Sequence, residues 1–390
     1  MSSSETTPNS FVVMAKPVGS NCNMNCRYCY YLKTKQLYPA PFEKMSDELL
    51  MNFIRQYISA NPGPVISFFW HGGEPTLIGL PFYRQVIGWQ KRFLPEGWKC
   101  WNNIQTNGLI INDEWAEFLA AHHFDVGISI DGSQTLHDQN RLDQLGNGTY
   151  ERVTNAIRLL QKHGLQPDLL CTVNSQNVAY PLAVYQALKE LNTGWMQFIP
   201  IIEINPQKQL TAETVDSLAY GQFLSVIFDQ WIQYDLNTTD IQLFAEMYLI
   251  SCHKAPNVCW LAAQCGQVLV LEHNGDVYSC DHFVDQTHRL GNINDTSLAL
   301  LSRMSIQKDF GLAKQLSLSE KCLNCRWLSY CRGGCLKDRL PDHSSSVNYL
   351  CTGLQYFFAH IDKPFKRYCY LRKKGCTKAA IMQTIREEYY

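Results

Sequence analysis

The segment "CNMNCRYCYY" (residues 22–31) places three cysteines, Cys22, Cys26 and Cys29, at CxxxCxxC spacing just after a short apolar run. Three thiols without a fourth close by are open to three interpretations. They are a disulfide with one thiol left over, a zinc site that lacks one protein ligand, or a metal cluster with one corner left open. The spacing alone does not separate these interpretations, so the rest of the sequence has to.

The bulk composition excludes several classes of protein. The 390 residues, of which 46% are hydrophobic, suffice for one large domain and a smaller one. A net charge of -1 gives no electrostatic signature of a nucleic-acid or membrane-surface partner. The Ser/Thr-rich start lacks the features of a secretory signal, and no apolar stretch reaches the roughly 18 residues that cross a bilayer. We therefore predict a cytoplasmic chain with a disordered N-terminus over residues 1–10.

The chain contains 16 cysteines. Because disulfides do not persist in a reducing compartment, metal or iron–sulfur ligation is the favoured explanation. Eight ligands would fill two four-coordinate sites, and eight cysteines fall between residues 259 and 351: Cys259, Cys265, Cys280, Cys322, Cys325, Cys331, Cys335 and Cys351. We interpret the five cysteines outside these groups as thiols that pack as small apolar residues: Cys100, Cys171, Cys252, Cys369 and Cys376.

Six short apolar runs alternate with amphipathic stretches of helical spacing up to residue 204. The runs are "FVVMAKP", "VISFFWHGG", "NNIQTNG", "VGISIDG", "PDLLCTVN" and "WMQFIPI". Six such units joined by right-handed crossovers predict an α/β fold, a partial and open (β/α)6 barrel over residues 11–204. We predict a helical bridge over 205–258, an irregular cysteine-rich domain over 259–351 and a C-terminal helical segment over 352–390.

Polar and glycine-rich turns follow three of the predicted strands: "HGGEP" (71–75), "QTNG" (105–108) and "SIDG" (129–132). Parallel sheets gather their active sites at the carboxyl ends of the strands, so these turns and the three-cysteine loop should share one mouth. A zinc site would not explain the glycine-rich turns. An iron–sulfur cube with one open iron would, because the open iron can bind the amino and carboxylate groups of S-adenosylmethionine.

The turns supply candidate contacts for that cofactor. Backbone groups in "GGEP" suit the methionine end, and polar side chains of the next two turns suit its ribose or amino acid part. The aromatic ring between the second and third cysteines suits the adenine. The candidates are Tyr28, Gly72, Gly73, Glu74, Gln105, Asn107, Ser129 and Asp131.

The combination of CxxxCxYC, "GGEP" and an S-x-D-G strand end resembles the radical S-adenosylmethionine (radical SAM) superfamily. The eight later cysteines resemble its SPASM extension, which holds two auxiliary 4Fe-4S clusters. Over nearly its whole length the chain is similar to anaerobic sulfatase-maturating enzymes, which convert a cysteine or serine of a sulfatase precursor into Cα-formylglycine. The motifs that carry this resemblance are "MAKP", "CRYCYYL", "GGEPTL", "QTNG", "HNGDVYSCDHFV", "LGNI", "CRGGCLKDR" and "NYLC".

The resemblance implies three 4Fe-4S clusters and S-adenosylmethionine as cofactors. It assigns Cys22, Cys26 and Cys29 to the first cluster. It assigns one auxiliary cluster to Cys259, Cys265, Cys280 and Cys335 and the other to Cys322, Cys325, Cys331 and Cys351. A 5′-deoxyadenosyl radical would remove a hydrogen from Cβ of the substrate, and an auxiliary cluster would accept the remaining electron.

Other residues receive roles by the same resemblance. Asp281 would be the general base, Arg141 would meet the cofactor carboxylate, and Tyr31 and His71 would meet the substrate. The implied partners are a sulfatase precursor or another peptide, and an electron donor such as flavodoxin or ferredoxin.

One position departs from the family pattern. Sulfatase maturases usually carry glutamine before "GGEP", whereas this chain has His71. SPASM enzymes that crosslink side chains of ribosomally made peptides often have "HGGEP". Formylglycine formation and peptide crosslinking therefore both remain hypotheses, and an electron-transfer or zinc-scaffold protein is a third, non-enzymatic one.

Overall fold

A computed structural model describes residues 11–31, 37–38, 44–205, 207, 209–340 and 347–390. The disorder predicted for residues 1–10 lies outside the described residues. A single sheet of ten described strands forms the centre of the molecule. Its strands are β1 (Val12–Ala15), β2 (Val65–Trp70), β3 (Lys99–Thr106), β4 (Phe124–Ser129), β5 (Asp168–Val173), β6 (Trp195–Pro200), β7 (Asp240–Ile241), β8 (Val268–Leu271), β9 (Asp276–Tyr278) and β10 (Arg289–Asn292).

The strand order is β10-β9-β8-β1-β2-β3-β4-β5-β6-β7, and the sheet is not closed. Strands β1 to β8 pair in parallel, as successive βα units require, and only the β8-β9 and β9-β10 pairs are antiparallel. The six predicted strands are β1 to β6. The sheet also extends beyond them, because the predicted bridge adds β7 at one edge and the cysteine-rich region adds three strands beside β1.

Helices connect the strands and continue after them. They are α1 (Asp47–Ala60), α2 (Leu80–Phe93), α3 (Asp113–Ala121), α4 (Gln134–Asp138), α5 (Tyr150–Lys162), α6 (Pro181–Lys189), α7 (Ser217–Gln230), α8 (Gln242–Ser251), α9 (Leu298–Leu301), α10 (Ser305–Leu316), α11 (Glu320–Leu323), α12 (Leu328–Cys331), α13 (Cys351–Lys373) and α14 (Lys378–Tyr389). Side-chain caps fix several starts: Ser46 accepts from Leu49 N at α1, and Asn112 accepts from Trp115 N at α3.

Aromatic residues form much of the core between the sheet and the first two helices. Phe53 of α1 packs edge-to-face on Phe68 of β2 with ring centroids 5.9 Å apart. Trp70 of β2 meets Tyr83 of α2 in the same way at 5.8 Å. All four rings are fully buried, and each such burial contributes about 1.5–3 kcal/mol. This packing fixes the carboxyl-terminal half of β2, which leads into the "HGGEP" turn.

The last long helix, α13, packs against α7 through two glycines. A Cβ on Gly353 would lie 1.7 Å from Ser217 O, and one on Gly221 would lie 2.1 Å from Gly353 O. Only glycine permits this backbone approach. Because Cys351 is the first residue of α13, the approach also fixes the position of that cysteine. No helix in the described part of the chain is both long and apolar enough to cross a membrane.

Candidate active site

The three-cysteine loop follows β1, which ends at Ala15, and lies at the carboxyl ends of the parallel strands. Cys22 and Cys26 are partly buried, and burial is the largest cause of the rise in the pKa of each thiol to about 11. Neighbouring thiols act in the same direction, Cys26 on the pKa of Cys22 and Cys29 on that of Cys26. The Asn107 amide lies 3.6 Å from the Cys22 sulfur. The structure therefore brings the three predicted ligands together, beside the "QTNG" turn.

The glycine turn is built directly onto this loop. A Cβ on Gly73 would lie 2.1 Å from Asn21 O, and Gly72 has a φ of +113°, so both positions require glycine. Gly73 N donates to Gly19 O at 2.8 Å, and Glu74 N donates to Asn21 O at 2.8 Å. These N–H groups are thus committed to the cysteine loop, and the cofactor contacts predicted for Gly72 and Gly73 remain a prediction for their carbonyl oxygens.

Glu74 joins the glycine turn to the "QTNG" turn. Its carboxylate is buried and accepts from Thr106 Oγ1 at 2.6 Å, from Asn107 N at 2.7 Å, and from both Thr76 N and Thr76 Oγ1. Burial raises the pKa of Glu74, although these donors lower it. With four protein donors, the Glu74 carboxylate organises the two turns, and its predicted contact with the cofactor stays a prediction.

Two sets of contacts in the mouth join other predicted cofactor residues. Asp131 contacts Tyr28 and Arg141, and Gln105 contacts Ser129. Asp131 is fully buried, accepts from Tyr28 OH, and forms an ion pair with Arg141, whose Nε lies 3.0 Å from its Oδ2. Burial raises the pKa of Asp131, but Arg141 and the other partners of the carboxylate bring it below its usual value. Gln105 Nε2 donates to Ser129 Oγ at 3.0 Å. These predicted cofactor residues therefore lie close together, and many of their hydrogen bonds are to one another.

Asp281 comes from the cysteine-rich region and reaches the same mouth. Its Oδ1 lies 2.7 Å from Lys16 Nζ, and its Oδ2 accepts from Tyr30 OH and, at 3.0 Å, from Tyr31 OH. Tyr31 OH is also 2.8 Å from His71 Nδ1, and its single proton is donated to either Asp281 or His71 at one time. Asp281, Tyr31 and His71, which were predicted separately, thus form one hydrogen-bonded chain.

The charges around Asp281 keep it ionised. Burial raises the pKa of Asp281, but the partners of the carboxylate, with the Lys16 ammonium first among them, lower it by more, so the pKa lies well below its usual range. Burial lowers the pKa of His71, and Gly72 N donates to its Nδ1 at 2.8 Å. The neutral ring therefore carries its proton on Nε2.

The eight later cysteines fall into two groups in space. In the first auxiliary group, burial and then the charges of Cys335 and Cys259 raise the pKa of Cys280, and Cys259 likewise raises that of Cys265. In the second auxiliary group, burial and then Cys325, Cys322 and Cys351 raise the pKa of Cys331. The first auxiliary group is Cys259, Cys265, Cys280 and Cys335. The second auxiliary group is Cys322, Cys325, Cys331 and Cys351.

A cavity lies within the second auxiliary group. All four of its cysteines line the cavity, together with Gly333, Gly334 and Asn348. Soft thiolates in fours suit iron–sulfur clusters. In the described part of the chain, no three His, Cys, Asp or Glu side chains are close enough to share a single metal ion. The assignment of individual cysteines to clusters therefore stays a prediction.

Comparisons with known proteins agree with this geometry. The Radical SAM superfamily model matches residues 17–184, and the model of an iron–sulfur cluster-binding domain, SPASM, matches residues 259–326. A serine-type anaerobic sulfatase-maturating enzyme of Bacteroides thetaiotaomicron is 39% identical over 368 residues, which cover 90% of this chain and 89% of that protein. The chain belongs to the anaerobic sulfatase-maturating enzyme family.

Other members of the family also match over most of their length. A cysteine-type anaerobic sulfatase-maturating enzyme of Clostridium novyi is 29% identical over 93% of this chain and 98% of that protein. The solved structure of native anSMEcpe with bound AdoMet and Cp18Cys peptide superposes with a TM-score of 0.85 at 30% identity. That match covers 93% of this chain and 99% of the other. Family membership thus includes both serine-type and cysteine-type relatives.

These findings confirm several predictions. The chain is a radical SAM enzyme of α/β fold with a SPASM domain and C-terminal helices, and iron–sulfur clusters and S-adenosylmethionine are the cofactors of its family. The predicted domain boundaries and the individual site residues remain predictions.

Three residues of the candidate site were not predicted from the sequence: Lys16, Tyr30 and Glu272. Lys16 Nζ lies 3.1 Å from Glu272 Oε1, and both side chains are fully buried. Lys16 and Tyr30 lie within the family motifs "MAKP" and "CRYCYYL", which gave a signal that they matter but none about their partners. Glu272 directly precedes the motif "HNGDVYSCDHFV", and its contact with Lys16 spans 256 positions along the chain.

Proposed function

We propose that this protein oxidises a cysteine or serine side chain of a sulfatase precursor to Cα-formylglycine. The observation that carries the proposal is the position of Asp281. This carboxylate comes from the cysteine-rich region, yet it contacts Lys16, Tyr31 and Tyr30 at the mouth that holds the three-cysteine loop. An ionised base beside the predicted radical centre is what this oxidation needs.

The cofactors of the proposed reaction are three 4Fe-4S clusters and S-adenosylmethionine. Cys22, Cys26 and Cys29 would hold the first cluster, and the two auxiliary groups would hold the others. When bound, the cofactors supply a 5′-deoxyadenosyl radical and acceptors for single electrons. Tyr28, Arg141 and the residues of the three polar turns would bind and orient S-adenosylmethionine beside the first cluster.

The side chains of the mouth handle the substrate proton. Asp281 would accept the proton of the substrate hydroxyl or thiol, since Lys16 keeps its carboxylate ionised and Tyr30 and Tyr31 fix its orientation. A positioned general base contributes about 10² to 10⁴ in rate. Tyr31, whose hydroxyl lies within hydrogen-bond distance of both Asp281 and His71, would line the path of the substrate peptide. A flavodoxin- or ferredoxin-like protein would supply electrons.

One observation favours a second candidate, the crosslinking of side chains within a peptide. His71 occupies the position before "GGEP", as in many SPASM enzymes that crosslink peptide side chains, and its Nδ1 lies 2.8 Å from Tyr31 OH within the mouth. The Nε2–H of the neutral His71 ring can donate a hydrogen bond to the substrate, as the side-chain amide of glutamine does. His71 is therefore also compatible with formylglycine formation.

The test is anaerobic incubation of the reconstituted enzyme with peptides that contain a sulfatase motif with either serine or cysteine. Formylglycine appears as a loss of two hydrogens from serine, or of H₂S with gain of oxygen from cysteine, and it reacts with hydrazine. A hydrazine-inert loss of two hydrogens shared between two residues would instead support crosslinking. An enzyme that yields no deoxyadenosine under reducing conditions would contradict both.

Two variants test the residue assignments. Asp281→Asn should still cleave S-adenosylmethionine but form about 10² to 10⁴ times less aldehyde. The exposed Asp295→Asn, on the same region of the chain, is the matched control and should behave like the parent. Cys22→Ala should abolish cofactor cleavage altogether. Full aldehyde yield in Asp281→Asn would remove this residue from the proposed role.

A further inference from the structure

Arg339 is hydrogen-bonded to the wall of the second auxiliary group. Its Nε donates to Gly333 O at 3.1 Å, and Gly333 lines the cavity among the four cysteines of that group. Its Nη1 donates to Lys314 O at 2.9 Å and to Ser317 Oγ at 2.7 Å. Two nitrogens of the guanidinium therefore connect this wall to helix α10.

Helix α10 in turn holds the loop of the first auxiliary group. Lys314 is fully buried, and its Nζ donates to Cys259 O at 2.9 Å, to Trp260 O at 2.8 Å and to Ala262 O at 2.5 Å. One turn earlier on the helix, Gly311 O accepts from Cys265 N at 3.1 Å. Hydrogen bonds from Arg339 and Lys314 thus connect the two auxiliary groups.

The third guanidinium nitrogen of Arg339, Nη2, makes no hydrogen bond to the described residues. This nitrogen is also buried. Leaving such a donor unsatisfied costs about 1–3 kcal/mol, and more for a charged group. Burial lowers the pKa of Arg339, while cysteines of both groups raise it: Cys322 and Cys331 of the second, Cys265 and Cys335 of the first. The guanidinium is therefore within electrostatic range of cysteines of both groups, and it carries one N–H donor group that the described residues leave unsatisfied.

We propose that Arg339 is a positioning residue shared by the two auxiliary clusters, whose charge and N–H donors set the reduction potentials of both. This inference rests on the proposed function, in that the eight cysteines hold two clusters. Reduction adds one electron, taken from the substrate or from an added reductant, to a site that is already anionic. A buried cation and hydrogen bonds to sulfur favour the more anionic, reduced state and so raise the potential.

The test is a potentiometric titration followed by electron paramagnetic resonance. It uses the full-length reconstituted chain in which Cys22, Cys26 and Cys29 are replaced by alanine, so that only the auxiliary clusters contribute. Arg339→Gln should shift both midpoint potentials to more negative values. Arg339→Lys, which keeps the charge with fewer donors, should shift both in the same direction by a smaller amount, and it decides the question if Arg339→Gln does not retain iron.

Lys321→Gln is the matched control. Lys321 lines the cavity of the second auxiliary group, and its charge lowers the pKa of Cys351 against the burial that raises it. Its neutralisation should shift one potential and leave the other unchanged. Unchanged potentials in an Arg339 variant with full iron content would overturn the proposal, as would a shift confined to one cluster. A parent chain that loads fewer than two auxiliary clusters would refute the cluster assignment itself, and the proposal with it.

Discussion

Replacing Lys16 with methionine tests how the candidate base is held. The Lys16 ammonium lies 3.1 Å from Glu272 and 2.7 Å from Asp281, and the three side chains are 0%, 0% and 11% exposed. Burial lowers the pKa of Lys16, but the two carboxylates raise it by more, so it is charged in the folded protein. Methionine has a similar apolar stem but lacks the ammonium group. The carboxylates of Glu272 and Asp281 then have no shared cation.

The expected loss of stability follows from this arrangement. Removing one partner of a buried ion pair costs about 3–5 kcal/mol. Unfolding entropies of about 2.1 cal/mol/K per residue give a chain of this length about 0.8 kcal/mol/K, so the melting temperature should fall by about 4–6 °C. The measurement is thermal unfolding of the full chain at neutral pH. Lys91→Met, on the exposed side of α2, is the control and should melt within about 1 °C of the parent.

The same variant should also lose the reaction at a particular step. Two uncompensated carboxylates share a proton, so Asp281 would no longer be the ionised base. Aldehyde formation should fall about 10² to 10⁴ fold while cleavage of S-adenosylmethionine continues. Lys16→Arg, which keeps the charge, should recover part of both properties. If Lys16→Met melts with the parent and forms aldehyde at the parental rate, the ion pair does not hold the base.

Three further predictions concern other parts of the fold. Gly353→Ala would bring a Cβ to 1.7 Å from Ser217 O, so α13 should separate from α7 and the second auxiliary group should lose iron, measured by metal analysis. Gly88→Ala, whose Cβ would meet nothing within 4 Å, should instead stabilise α2 by about 0.5–1 kcal/mol. Burial lowers the pKa of His137 to about 4, so the unfolded chain binds the extra proton between pH 6.5 and 4 and stability falls as the pH drops through that window. His137→Gln should flatten this part of the stability profile by about 3 kcal/mol in denaturant titrations, and an unchanged profile would contradict it.

Local patterns in the sequence predicted the first half of the fold well. Ser46 caps α1 as its position before an amphipathic stretch indicates, and β1 to β6 coincide with runs of apolar residues. The strands of the cysteine-rich region were not predicted, because β9 has only three residues and such a segment shows no measurable periodicity. Pairing of β8 with β1 joins residues about 256 positions apart, and no local signal encodes that.

The candidate site was predictable to a similar degree. Spacing and turn chemistry indicated the cysteine loop, the glycine turn and the polar strand ends, which the structure brings together. The count of eight later cysteines predicted two auxiliary sites, but the division of these cysteines into two groups came from family resemblance. The partner of Asp281 could not be predicted, since Lys16 precedes it by 265 positions and a lysine in an apolar lead-in has no pattern of its own.

The pairing of β8 with β1 explains why the base and the cysteine loop meet. Ala15 is in register with Leu271, and Lys16 N donates to Leu271 O at 2.9 Å, so Glu272 emerges beside Lys16. The β8-β9 hairpin then returns the chain to Asp281 within ten residues, where the same ammonium binds its carboxylate. A slip of one residue in this register would turn the side chains of β8 to the opposite face of the sheet and separate Glu272 from Lys16. The cysteine-rich region is therefore a part of the sheet that completes the mouth, and its strand register, more than any loop, sets the position of the proposed base.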